Sequence, residues 1–232
     1  MVGTLSKCWL FTFQTPSECA VALLPPELQP VEHHGCAFWN TVVCQVQNMR
    51  PKLSPLPWGV TYWHVAYRLY VRFKTSSGQV IEGLYFLRSD CDNSLMSFVG
   101  NILTDFKFNT ASVRVTLGEH NTDIAIKAPD GDANVRITDN PAILPEYSAF
   151  RSLDEAKHFL KYKPNGISIG PDHSGNIVHI MRDETAWTSK LRSVEQAHWS
   201  FLEDKNVRPE ICYEVDAIDY QWNRARAYDS AR

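Results

Sequence analysis

The sequence predicts an α+β domain, mostly β, whose antiparallel strands close or nearly close into a barrel, with a few helices covering the outside or plugging an end. Three observations carry this. Residues Tyr62 to Phe73 alternate along a strand, and the turn Ser76-Ser77-Gly78-Gln79 returns the chain into Val80 to Arg88 as a long hairpin. Ser112 to Leu117, Asp123 to Lys127 and Asn134 to Thr138 are short strands separated by Gly118-Glu119-His120-Asn121 and Pro129-Asp130-Gly131-Asp132, which is a β-meander. Only isolated helical stretches interrupt the strands, the clearest lying between hairpin and meander.

Taken in order, residues 8 to 13 form a first strand, and Thr15-Pro16-Ser17-Glu18 is a capping box with Pro at the first helical position, predicting a short helix through Leu23. Pro25-Pro26 stops it. After a loop carrying His33-His34-Gly35, Cys36 to Gln47 alternate into a strand. Met49 to Trp58 contain three prolines and read as an ordered coil or edge connection. The hairpin follows, with Trp63, Val65, Tyr67, Leu69, Val71 and Phe73 on one face of its first strand and His64, Ala66, Arg68, Tyr70 and Arg72 on the other.

In the stretch Gly83 to Asn109, Asp92 stands at a helix N-cap position, and Leu95, Phe98, Val99, Ile102 and Leu103 fall on one helical face, which predicts the buried side of the helix. A strand entered through Phe106-Lys107-Phe108-Asn109 succeeds it. Beyond the meander, Ser152-Leu153-Asp154-Glu155 is a second capping box, before a helix with Ala156, Phe159 and Leu160 as its apolar positions. Pro164-Asn165-Gly166 and His173-Ser174-Gly175-Asn176 bracket two further strands. Trp187, Leu191, Val194, Phe201 and Leu202 are spaced for a last amphipathic helix, followed by a strand over Glu210 to Ile218 and a polar, Arg-rich tail from Gln221. With no repeat and no flexible linker, the 232 residues are expected to form one domain.

The totals exclude several functions. The 44% hydrophobic and 12% aromatic content fills a substantial core, while a net charge of −3 and a pI near 6.2 provide no basic field for nucleic acid. The cysteines Cys8, Cys19, Cys36, Cys44, Cys91 and Cys212 show no CxxC spacing, so they are expected as reduced thiols rather than a zinc ribbon or redox motif. No run approaches the length of a membrane span and the N-terminus has no cleavage-site pattern, so a cytoplasmic protein without a membrane partner is expected. There is no Gly-x-Ser-x-Gly elbow, no Walker loop and no dinucleotide fingerprint, and no cofactor is expected.

The ordered series of landmarks resembles the acetoacetate decarboxylase-like superfamily. It comprises a strand ending Tyr85-Phe86-Leu87, the turn Asp90 to Asn93, a helix, and then Leu103-Thr104-Asp105-Phe106-Lys107-Phe108-Asn109. A bacterial branch of unknown function is more similar still, through PSECAVALLPPELQP, the NMRP of Asn48 to Pro51 and the YRLYV of Tyr67 to Val71. The resemblance implies a cone-like antiparallel β-barrel around a small-molecule cavity. It also implies, for the decarboxylases themselves, a lysine amine that forms a Schiff base with a keto acid, the chemistry for which the parent enzyme is a standard illustration. Their motif, Gly-Phe/Tyr-Pro-Lys-Lys, aligned on Phe106, puts Lys107 at the proline and Phe108 and Asn109 at the two lysines. Lys107 is thus out of register and lacks the neighbouring cation that activates such an amine.

Two site readings follow. Arg68 could hold a carboxylate, His64 move a proton and Tyr70 bond a carbonyl, with Asn109 beside them; a sheet with one wet face explains the same alternation. Lys107 is either a catalytic amine or an exposed residue leading into a strand. Asp90 and Asp92 before the helix read as capping and dipole partners, with a catalytic pair as the alternative, and Cys91 between them has an acidic setting that disfavours a thiolate. The pair His33-His34 and the set Asp172, His173 and His179 have metal-ligand residue types, but adjacent histidines point apart and no metal site is expected. The expected function is binding of a small carbonyl or carboxylate ligand without Schiff-base decarboxylation. A Lys107-dependent lyase and a non-catalytic interaction domain are the alternatives. Exposed edge strands and the Pro-rich connection would serve a homo-oligomer.

Overall fold

Both faces of the central hairpin are buried, and this determines how the rest of the chain is arranged. The computed structural model describes residues 1–53, 59–104, 106–161, 163–182 and 188–231, without the side chain of Leu103. The first half of the chain contributes β1 (Val2–Pro16), α1 (Ser17–Val21), β2 (Leu28–Pro30), β3 (Glu32–His33), β4 (Cys36–Arg50), β5 (Val60–Lys74), β6 (Val80–Cys91), α2 (Ser94–Leu103) and β7 (Phe108–Thr110). Then come the meander β8 (Ser112–Leu117), β9 (Asn121–Ala128) and β10 (Gly131–Thr138), α3 (Leu153–Phe159), β11 (Asn165–Ile169), β12 (Gly175–Met181), β13 (Ser189–Trp199), a 3-10 helix (Ser200–Lys205), β14 (Arg208–Val215), β15 (Ile218–Trp222) and β16 (Arg226–Tyr228).

The pairings run β4-β5-β6-β11-β12-β15-β1, and β1 pairs back to β4, so these seven strands complete a circuit. Beyond it β1 also pairs β14, and β13 connects β14 to the meander. The protein is therefore mostly β with few helices, as the sequence predicts. It is not wholly antiparallel, because β7 and β11 pair parallel to β6. For β7 the reason is the α2 crossover, which returns the chain in the same direction.

Along β5 successive side chains enter different cores. Val65, Tyr67, Leu69, Val71 and Phe73 join a cluster with Trp9, Trp39 and the meander's Ile124, Ile126 and Val135. Ala66 and Tyr70 join a second cluster with Leu10, Phe38, Val42, Phe86 and residues of α2 and α3. The wet-face reading of His64 to Tyr70 is overturned, since Arg68 is 4% and Tyr70 0% exposed; only Arg72 at the far end is exposed. Leu87 in β6 has no direct partner in β5, a bulge that keeps Phe86 opposite Arg68 and Arg88 opposite Tyr67.

Four further expectations are corrected. The face of α2 formed by Leu95, Phe98 and Ile102 points outward, at 59%, 65% and 66% exposure, and the helix instead turns Met96, Gly100 and Thr104 inward. Gly100 permits this, because a Cβ there would lie 2.6 Å from the Phe108 ring. The N-cap of α2 is Asn93, accepting from the Met96 amide at 3.0 Å, while Asp92 accepts from the Trp63 amide at 2.7 Å and stitches the β5–β6 edge. Thr15 does not cap α1, which ends at Val21; its hydroxyl donates to the Lys205 carbonyl. The last amphipathic helix is β13, since pairing to both β10 and β14 outweighs the helical spacing; its expected member Trp187 lies outside the described residues, as do 54–58 of the Pro-rich connection.

The C-terminal stretch is not a loose tail, because β15 extends to Trp222 and β16 pairs with β12. The hairpin, the meander and the second capping box are found where expected. Ser152 accepts from the Glu155 amide at 3.1 Å, and the Glu155 carboxylate accepts from the Arg151 amide at 2.8 Å. Among the described residues no helix is long and apolar enough to cross a membrane.

Candidate functional site

Alternation along the circuit strands sends one set of side chains toward a cavity lined from β1, β4, β5, β6, β12 and β15, with α2 along one side. Its space for the centres of water-sized molecules is about 70 Å³, several times what one water needs. The walls are apolar for the most part, including Leu10, Val42, Phe86, Phe106 and Trp222. Polar and ionisable side chains are few: Cys8, Cys44, His64, Arg68, Thr104, Arg182 and the two tyrosines Tyr62 and Tyr220. Among the described residues no carboxylate lines it.

Arg68 is fixed from behind. Its Nε donates to the Asn40 carbonyl at 3.4 Å and its Nη2 to the Asn40 side-chain oxygen. The Asn40 amide nitrogen donates to the Tyr70 hydroxyl at 2.9 Å, and that hydroxyl donates to the Leu160 carbonyl at 2.7 Å, where Tyr213 donates as well. The C-terminal end of α3 thus anchors a relay that orients the guanidinium. On the cavity side, Arg68 lies 5.6 Å from the centre of the Phe86 ring.

His64 stacks on Phe108 at 5.0 Å, and its buried Nε2 has no hydrogen-bond partner among the described residues. Across the sheet His64 faces Cys44 on β4 and Cys91 on β6. Burial pushes the Cys91 thiol up to about 11, in line with its expected inertness. Cys44 faces Cys8 on β1, so two cysteines and a histidine stand in one cross-strand row on the cavity wall.

Of the five side chains singled out in the sequence, His64 and Arg68 line the cavity together. Tyr70 stands behind Arg68 in the relay. Phe108 points into the cavity, and Asn109, next along β7, takes the opposite side, its amide 3.5 Å from the Ser89 carbonyl. Lys107 has a left-handed φ of 55° and turns away, its ammonium 3.4 Å from the Tyr85 hydroxyl. Asp90 is neither a cap nor exposed: it is a β6 residue, wholly buried, accepting from Arg88 Nε at 2.9 and 3.0 Å. Burial lifts its carboxyl above the usual carboxylate range against the pull of that guanidinium. Asp90 and Arg88 face the Val65 and Tyr67 side of β5, away from the cavity.

His33 packs on Phe150 and lies 3.4 Å from Glu155, His173 bonds Glu27 at 2.6 Å, and His179 bonds Asn165 at 3.0 Å. Among the described residues no three His, Cys, Asp or Glu side chains are grouped to hold a metal ion. Cys8, Cys44, Phe108 and Arg182 are cavity residues that sequence reasoning did not select. Strand parity could have linked Cys8 to Leu10, but nothing local to Cys8 announces its pairing with Cys44.

The fold is similar to that of solved acetoacetate decarboxylase-like proteins. An acetoacetate decarboxylase-like enzyme from Sphingomonas wittichii superposes with a TM-score of 0.61 at 12% identity, covering 99% of this chain and 93% of that one. The acetoacetate decarboxylase of Legionella pneumophila gives 0.58 at 12% identity, over 99% and 88% of the two chains. The enduracididine biosynthesis enzyme MppR, complexed with pyruvate, gives 0.55 at 12%, over 97% and 89%. No curated protein matches the chain. Residues 4–164 match the family DUF2071, described as an uncharacterized conserved protein, and the chain belongs to that family.

Proposed function

We propose that the cavity binds a small organic acid carrying a carbonyl group, and that it does so without a Schiff base. The observation that carries this reading is the pairing of the relay-held Arg68 guanidinium with the His64 imidazole in an otherwise apolar chamber. A guanidinium recognises a carboxylate through charge and paired donors, and low polarity around it strengthens the contact. Arg182 adds a second positive group at the same chamber. His64, its Nε2 open to a new partner, is suited to donate to or withdraw a proton from the ligand's carbonyl end. The pyruvate complex of MppR is in keeping with a ligand of this size.

Phe108 and Asn109 stand where the superfamily resemblance would put the paired lysines, and Lys107 is directed elsewhere; both support non-covalent binding. The strand circuit supports reading the sheet as a cone-like barrel, with residues 1–232 as one domain around it.

Calorimetric titration with pyruvate tests the proposal. Arg68→Met should weaken binding about 10- to 100-fold, the worth of one charged hydrogen-bonded contact, with near-ultraviolet circular dichroism confirming that the Asn40 relay still packs. Equal affinity of wild type and variant would sink the assignment of Arg68. Borohydride reduction in the presence of pyruvate should leave every lysine unmodified, and an adduct on Lys107 would establish the lyase alternative instead.

A further inference from the structure

Cys8, Cys44 and His64 are successive cross-strand partners on β1, β4 and β5, and all three border the cavity. Directly opposed residues of an antiparallel pair have Cα atoms about 4.5–5.5 Å apart, within the roughly 4.4–6.8 Å that a disulfide spans. Both cysteines are free thiols, 3% and 4% exposed. Buried thiols in apolar surroundings are ordinarily inert; this pair differs in what faces it. From β5 come His64, Arg68 and Tyr62, from the segment after β12 Arg182, and from β15 Tyr220, with no carboxylate among the described residues of the wall.

Two inequalities then separate the thiols. Hydrogen bonding to Cys8, followed by His64 and Arg68, draws the Cys44 thiol below the ordinary range against its burial, while that shared bond and burial push Cys8 up. Cys44 is also the thiol that directly faces His64 across the sheet, and Cys8 lies one strand further away. The cavity, with several times the space one water needs, has room for hydrogen peroxide or a small organic hydroperoxide.

We propose that Cys8 and Cys44 form a two-thiol redox site on the cavity wall, in which Cys44 attacks a hydroperoxide, His64 carries the displaced proton and Cys8 closes the disulfide. In the first step the Cys44 sulfur bonds the terminal peroxide oxygen as the O–O bond breaks. The departing oxygen takes the proton that His64 received from Cys44 and leaves as water or an alcohol. In the second step the Cys8 sulfur bonds the Cys44 sulfur, the S–O bond breaks, and the hydroxyl leaves with the Cys8 proton as water. Two thiols lose two electrons and the peroxide gains them. The inference rests on the cavity but not on the identity of its organic ligand.

The test uses the full chain with Cys19→Ser and Cys36→Ser, which removes the two partly exposed thiols. Reduced protein is treated with hydrogen peroxide, alkylated, and mapped by peptide mass spectrometry. The expected product is a Cys8–Cys44 disulfide, lighter by two hydrogens, formed by folded protein. Cys8→Ser, which keeps a hydrogen-bond donor beside Cys44 but cannot form the disulfide, should leave Cys44 as a sulfenic acid that dimedone captures. His64→Gln should slow thiol loss at neutral pH at least about tenfold, because it removes the side chain that takes the Cys44 proton. Free Cys8 and Cys44 after treatment, over-oxidation of Cys44 without a bond to Cys8, or an unchanged rate in His64→Gln would each overturn the proposal. The pairing result needs no change at Cys8, Cys44 or His64, and a parallel pyruvate titration of reduced protein keeps the two readings apart, since binding without oxidation defeats this one alone.

Discussion

Replacing Phe108 by lysine asks whether one side chain separates this cavity from Schiff-base chemistry. The ring stacks 5.0 Å from His64 and covers Gly100. Full burial of a phenylalanine is worth about 1.5–3 kcal/mol and a ring pair about 0.5–1.5 kcal/mol. Phe108 is half-buried and a lysine stem refills part of the space, so Phe108→Lys should cost about 2 kcal/mol, which leaves a foldable protein. The new ammonium would enter an apolar chamber beside Arg68 and Arg182, with no carboxylate among the described residues of the wall to hold its charge. Both desolvation and like charge favour the free amine, moving it toward the range of roughly 7–8 seen for catalytic lysines. Incubation with pyruvate and borohydride, followed by mass spectrometry, should find an adduct on the introduced lysine and none on Lys107. A folded variant that binds pyruvate yet yields no adduct would refute the placement of this side chain against the ligand.

Two further perturbations probe what holds the sheet around the cavity. Asp90→Asn should cost about 3–5 kcal/mol, because it leaves the buried Arg88 guanidinium, whose two terminal nitrogens already lack hydrogen-bond partners among the described residues, without its counter-charge. Urea unfolding measures this, Arg88→Met with Asp90→Asn should recover most of it, and a loss below about 1 kcal/mol would show that Tyr67 and Phe201, 5.9 and 5.2 Å from the guanidinium, suffice. Glu210 is buried, accepting from Ser148 at 2.6 Å and the Ala149 amide at 3.0 Å, and burial raises its carboxyl. A raised native value means that the native state binds more protons, so this group's stabilising contribution is full below its unfolded value and is lost as pH rises through the native one. Melting temperature should therefore gain from Glu210 on mild acidification from neutrality, and Glu210→Gln should remove that gain; identical pH profiles would refute the attribution.

Much of the fold was legible because strand alternation and turn chemistry are local signals. The hairpin β5–β6, the meander and the Ser152 cap depend on residues within a few positions of one another. The errors fall where distant partners decide. Ser189–Trp199 carries helical spacing but is claimed as a strand by β10 and β14. The helix α2 reads as amphipathic along Leu95, Phe98 and Ile102, yet it approaches the sheet through Gly100, because only a residue without a side chain lets the Phe108 ring lie against the helix. At the site, the polar parity of His64 and Arg68 was legible in β5. The thiol row was not, since it joins β1, β4 and β5 in a register that no one segment contains.

The division between fold and chemistry comes down to parity at one short strand. A strand's side chains alternate, so a shift of one residue exchanges the groups offered to either side. The left-handed turn at Lys107 and the parallel pairing of Ser89 with Phe108 and Asp90 with Asn109 fix that register. The cavity therefore receives an aromatic ring, and the amine and the amide go to the other side. With the Phe108 ring on the cavity side, the ionisable side chains on the wall, among the described residues, are His64, two arginines, two tyrosines and two cysteines. That set can hold an anion and move a proton. Among the described residues its strong nucleophile is sulfur, which is why covalent chemistry in this chamber should run through Cys44 rather than through a lysine.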